Sequence, residues 1–178
     1  MGKSYATVTP DSFTIGPCQV TFNSIDIGGT KGGVKIKFKY EKANLEADQF
    51  GKTILDKAIS GMMAQVTTNF LEVLDKDQLA NVFPSLFLGG SSPHKYLDMK
   101  DQTAVRQLAT AYPLELHPLV DDATDLDNEW YFWKANPNED SEFDFMPDKQ
   151  VEMKITWDIF LDTSVQPARV FRYGDHTL

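Results

Sequence analysis

The chain has 178 residues, 42% of them hydrophobic, a formal net charge of -9 and a single cysteine. That length and apolar content suffice for one domain with its own core and exclude a disordered chain. The acidity argues against a module that grips nucleic acid by its phosphates, although it suits a wall along which a polyanion slides without sticking. Mean hydropathy is -0.33, and no apolar run approaches the roughly 20 residues of a membrane-spanning helix. Residues 1–6 lack the apolar stretch of a signal peptide, and Ala6 stands where a myristoylation pattern needs Ser or Thr. A lone cysteine allows no internal disulfide, in keeping with assembly in a reducing cytoplasm.

Residues 1–15 are polar, contain Pro10 and read as an extended arm. Cys18, Val20 and Phe22 then share one face of a strand. Val34, Ile36, Phe38 and Tyr40 share one face of another, with Lys35, Lys37 and Lys39 on its opposite face. Gly28, Gly29, Gly32 and Gly33 lie between them and can take positive φ, so the two strands are expected to form a hairpin. A polar extended segment over 43–50 and a strand over 62–72 follow. Asp75, with Gln78 three residues on, reads as a capping box. It opens a helix in which Leu79, Val82, Phe83 and Leu86 recur at helical spacing, and Pro84 ends or kinks it near Phe83.

Residues 89–93 read as a loop and 112–119 as a strand with Leu114 and Leu116 on one face. Acidic loops over 121–129 and 136–147 bracket an aromatic strand over 129–135. Trp130, Tyr131, Phe132 and Trp133 place bulky groups on both of its faces. One face must be core; the other is either core or a subunit interface. Val151, Met153, Ile155, Trp157, Ile159 and Leu161 alternate with polar residues, the cleanest strand in the chain and the one expected at the centre of a sheet. A short strand over 168–173 and a polar tail over 175–178 complete the pattern. The fold expected is mainly β: a β-sandwich or rolled barrel of antiparallel strands with one flanking α-helix, in a single domain over 16–174. Its core should contain Val20, Phe22, Val34, Ile36, Phe38, Leu79, Val82, Phe83, Met153, Ile155, Trp157 and Ile159.

Motifs for chemistry are sparse. Gly51-Lys52-Thr53 has the end of a phosphate-binding loop, but Glu46 stands where its first glycine belongs. A calcium loop starting at Asp125 would need glycine at its sixth position, where Trp130 stands; Asp121, Asp122, Asp125, Asp127 and Glu129 therefore read as a solvated loop. His94, His117 and His176 show no metal-ligand spacing. Cys18 alternates with apolar residues as a buried structural thiol does. No nucleophile elbow appears. Neither enzymatic activity nor a cofactor is expected.

Four pieces nevertheless recur in a telling order: Gly16-Pro17-Cys18-Gln19-Val20, the small-residue turn and apolar strand over 28–40, Asp48-Gln49-Phe50-Gly51-Lys52-Thr53, and the strand over 61–70. Together they resemble the tail tube protein (major tail protein) of long-tailed bacteriophages, over roughly the first half of the chain. The resemblance implies hexameric rings of this chain stacked into a hollow tube, in a virion tail assembled in the bacterial cytoplasm. Its partners would be the tape-measure protein, the distal-tail and tail-terminator proteins, and double-stranded DNA passing through without specific binding; no membrane is involved. Strands over 18–24, 33–40, 43–50 and 62–70 would form the channel wall. The 1–15 arm, the loop around Lys52 and the 175–178 tail would join ring to ring. Lys35, Lys37, Lys39, Glu41, Glu46, Asp48, Gln49 and Lys52 are the candidate channel-wall or inter-subunit residues, with Glu41, Glu46 and Asp48 expected to neutralise the lysines across strands. The tube of a contractile injection device, of the pyocin or secretion-system type, would share this fold. A monomeric ligand-binding β-barrel would instead need a dry apolar pocket.

Overall fold

The computed structural model describes residues 16–46, 48–51, 53–71, 75–138 and 151–178, and the backbone of 143–144. The strands are β1 (Cys18–Phe22), β2 (Ile25–Asp26), β3 (Thr30–Glu46), β4 (Ile54–Phe70), β5 (Leu86–Gly89), β6 (Tyr96–Met99), β7 (Tyr112–Pro118), β8 (Trp130–Asn138), β9 (Phe143–Asp144), β10 (Glu152–Ile159) and β11 (Phe171–Tyr173). Helix α1 (Lys76–Val82) follows β4. The main sheet runs β2-β1-β7-β8-β10-β4-β3, with β11 added to β8 and β9 to β10; β5 and β6 form a separate hairpin. Every pairing is antiparallel.

The sheet doubles over into a β-sandwich. Strand β8 makes the bend, because one of its edges is shared. Residues Trp130 to Phe132 pair with β11, whereas Ala135 to Asn138 pair with β10. Phe22 of β1 thereby meets Trp157 of β10 at 6.5 Å, and Phe38 of β3 meets Trp130 of β8 at 6.1 Å. Val20, Phe22, Leu79, Val82, Phe83, Met153, Ile155 and Trp157 are buried, and Val34, Ile36, Phe38 and Ile159 pack against them half-buried. As its strict alternation suggested, β10 lies inside the sheet, between β8 and β4.

The hairpin expected between the first two alternating strands does not form. β1 pairs with β2 and β7, β3 pairs with β4, and the two lie in opposite layers. Asn23 and Ser24, both at positive φ (52 and 63), turn the chain back directly after β1. Ile27 is buried, and Gly28 at φ 85 helps carry the chain on to β3. Gly32 and Gly33, at φ 77 and 79, make a bulge within β3 instead of a turn before it; the register shifts between Lys31 and Val34.

Helix α1 begins as its sequence requires. The Asp75 carboxylate accepts from the backbone N–H of Asp77 (2.9 Å) and Gln78 (3.3 Å). The reciprocal half of the capping box is missing, since Gln78 Oε1 is buried with no hydrogen-bond partner. Phe83 caps the C-terminus, one residue before Pro84. The 89–93 segment, read as a plain loop, belongs to the β5–β6 hairpin. Gly90 there sits at φ 77, and a Cβ would run into the His94 carbonyl oxygen.

Candidate functional site

Strands β3 and β4 are each 17 residues long, which corresponds to about 55 Å of extended chain. Only their inner halves belong to the sandwich. β10 pairs β4 from Ala64 to Phe70 and no further. There Ala64, Val66, Thr68 and Phe70 are buried in strict alternation. Beyond that point residues 41–46 pair with 54–61 alone, and residues 54–60 are exposed on both faces. This projecting arm carries Leu45, Phe50, Ile54, Leu55 and Ile59, with Phe50 64% and Ile59 65% exposed. Register shifts between Glu41 and Lys42 and between Leu45 and Glu46 add twist along it. β3 also forms an edge of the sheet. Such an edge presents a row of backbone donors and acceptors to any strand that approaches.

The lysines stand on the outer face of the inner half. Lys35, Lys37 and Lys39 are exposed and in register with Thr67, Gln65 and Met63, all uncharged. Lys154 of β10, in register with Asn69, shares that face. The two acids nearby are engaged: Glu152 pairs with Lys31, and Asp158 accepts from Gln65 Nε2 at 2.8 Å. Glu41 and Glu46 lie farther along β3, opposite Gly61 and Ile54, and Asp48 and Gln49 lie in the 3-10 turn at the arm's tip. Among the described residues no ion pair joins these acids to the lysines: Glu46 and Asp48 lie toward the arm's tip, while Glu41 stands two residues beyond Lys39 on the same face, opposite Gly61. Lys52 and the 1–15 arm lie outside the described residues.

The other outer face, over β8, is covered by the chain itself. The Arg169 guanidinium lies 3.8 Å above the Trp133 ring, and His176 stacks on Tyr131 at 4.0 Å. Beside them Glu129, 4% exposed, meets His176 Nδ1 at 3.3 Å and His117 Nδ1 at 3.8 Å. Burial, then the charge of Glu129, raises the Glu115 carboxyl above its ordinary value. Burial, then Glu115 and Glu129, likewise raises Tyr131. Arg172 Nη1 donates to the carbonyl oxygens of Asp175 (3.3 Å) and Leu178. The 175–178 tail is thus tied to its own domain. Sequence reasoning missed this cluster: it read Glu129 as part of a solvated loop, whereas Glu129 is buried, and His117 and His176 come from distant segments with no linear spacing to join them to it.

Between the layers lies an open cavity of about 250 Å³, lined in part by Cys18, Val34, Ile36, Leu116, Trp130 and Tyr173. Pockets for drug-sized ligands start near roughly 300 Å³, so this one is small for a lipocalin-like role. Burial raises the Cys18 thiol, the opposite of what a nucleophile needs. Among the described residues no group of three His, Cys, Asp or Glu side chains is arranged to hold a metal ion. No model of a protein family matches the chain, and no curated protein matches it.

Proposed function

We propose that the chain is the structural subunit of a phage tail tube, whose copies close into hexameric rings and stack into a hollow channel for DNA. The observation that carries this reading is the β3–β4 arm. An isolated two-stranded ribbon is marginal in water, and this one exposes Leu45, Phe50, Ile54, Leu55 and Ile59. It also offers two strand edges that no other described strand pairs. In a lone molecule such a feature invites aggregation. In a symmetric assembly each arm docks on the next copy, and the same contact repeats until the ring closes. The number six, the tape-measure protein within the channel and the terminator and distal-tail proteins at its ends come from the resemblance in the first half of the chain. The acidic balance of the whole chain suits a conduit through which DNA moves without adhering.

Negative-stain electron microscopy over a concentration series, with light scattering alongside, tests the reading. The full chain should give rings or tubes. A variant in which residues 43–56 are replaced by a tight turn should stay folded and monomeric. Tubes of normal width from that variant would remove the arm from the interface, and a full chain that is monomeric at every concentration would overturn the tube reading.

A further inference from the structure

Two oppositely charged surfaces of this chain have no ion-pair partner among the described residues. The first is the row formed by Lys35, Lys37 and Lys39, none of which makes an ion pair among the described residues. Three like charges at alternate positions of one strand repel one another and give the outer face of β3 a positive strip on a protein of net charge -9. The second is the turn between β7 and β8, where Asp122, Asp125 and Asp127 are exposed and equally make no ion pair among the described residues.

That turn is held in shape by its own hydrogen bonds. Asp122 Oδ1 accepts from Thr124 N–H (3.0 Å) and hydroxyl (2.9 Å), Asp125 Oδ1 accepts from Asp127 N–H (3.0 Å), and Asn128 Nδ2 donates to Asp121 (3.2 Å). Each bond on Asp122 and Asp125 uses one carboxylate oxygen and leaves the other available, since an ionised carboxylate accepts at both. The hydrogen bonds from Thr124 also hold the Asp122 carboxyl below its usual range, so it stays charged.

We propose that the lysine row on β3 receives the 121–127 turn of a second copy of this chain. The row and the turn of one molecule cannot meet. Val34 and Ile36 line the cavity between the layers together with Pro118 and Asn128, on the turn's side; Lys35 and Lys37 alternate onto the other face of β3. Each copy therefore offers its row to one neighbour and its turn to another. Such a heterologous contact closes into a ring or runs on as a filament, whereas an isologous one stops at a dimer. A long polyanion fits the row less well, because beyond Lys39 it would meet Glu41 and an arm whose acids (Glu41, Glu46, Asp48, Asp56) outnumber its lysines (Lys42, Lys52, Lys57), on an acidic protein. A compact acidic turn can cover Lys35 to Lys39 without reaching Glu46 or Asp48 at the arm's tip. The contact rests on the tube reading and names one of its interfaces.

Charge reversal tests it. Lys35→Glu/Lys37→Glu/Lys39→Glu and Asp122→Lys/Asp125→Lys/Asp127→Lys each change exposed residues, and circular dichroism with a thermal melt confirms that each stays folded. Each variant alone should lose association by about tenfold or more in sedimentation and light scattering. An equimolar mixture should assemble again, because the reversed row of one variant meets the reversed turn of the other. Association of the unaltered chain should weaken as salt rises and the Debye length falls from about 30 Å to about 3 Å. Normal assembly of the lysine variant alone overturns the contact and leaves the tube reading standing. So does a mixture of folded variants that fails to assemble. Retardation of double-stranded DNA in a gel by the unaltered chain, lost in the lysine variant while assembly persists, would assign the row to nucleic acid and overturn the proposal. An unaltered chain that never associates overturns contact and tube together.

Discussion

The inner and outer halves of the β3–β4 hairpin are one continuous pair of strands in two different environments. In the inner half Ala64, Val66, Thr68 and Phe70 turn to the core while Lys35, Lys37 and Lys39 turn outward, and β10 pairs alongside. In the outer half the same ladder continues, yet Leu45, Leu55 and Ile59 are exposed and no third strand among the described residues accompanies them. The β3–β4 ladder runs through both; what differs is the third strand and, with it, burial. Apolar area removed from water is worth roughly 25 cal/mol per Å², so the inner half supports the fold and the outer half contributes little to it. These exposed apolar residues are the ones the proposed tube would cover.

Substitutions in the two halves should separate these roles. Phe70→Ala, in the inner half, empties a fully buried site and should cost about 3 to 5 kcal/mol, read as a large shift in the denaturant midpoint. Gly33→Ala adds no steric clash but forces a Cβ-bearing residue to φ 79, at about 1 to 2 kcal/mol; a neutral result would mean that the bulge relaxes. Asp75→Ala, outside the hairpin, should cost on the order of 1 kcal/mol by removing the helix cap, and gives a scale for local effects. Ile59→Ala, in the outer half, should change monomer stability by only about 0.5 kcal/mol or less while weakening assembly. A destabilisation of the Phe70→Ala size at Ile59 would break the comparison.

The smallest expected effect is a pH slope in the domain. The Glu115 carboxyl is raised above 4.5 by burial and by Glu129. The folded state therefore binds that proton more tightly than the unfolded state, and the resulting stability is lost as pH rises through the raised value. Glu115→Gln should remove this slope, so the variant should gain on the unaltered chain between about pH 4.5 and pH 7 in urea melts. Parallel curves for the two proteins would show that Glu115 titrates alike in both states.

Much of this was legible in the linear chain, for a local reason. Period-two alternation at Val20–Phe22, Val34–Phe38 and Met153–Trp157 depends only on neighbouring residues, so it marked strands, faces and core together. Asp75 and Pro84 marked the helix ends in the same way. Partners were not legible, because pairing depends on what happens elsewhere in the chain. Thr67 shares a hydroxyl hydrogen bond (3.2 Å) with Thr156, and β1 finds β7 in preference to the nearby β3. The glycines at 32 and 33 show the limit well. Their freedom at positive φ fits either a turn or a bulge, and only the pairing of β3 with β4 selects the bulge.

Composition and alternation by themselves determined that this is an acidic, mainly β domain with a helix at its flank, since those depend on side-chain chemistry and backbone period. Tertiary structure alone decided which outer faces stay open. The aromatic face of β8 is closed by Arg169 and His176 of the same chain. The lysine face of β3 and the arm beyond it are left bare, because no segment among the described residues reaches them. Burial is a property of the whole folded chain, so a residue's surroundings can differ completely between two halves of one uninterrupted strand.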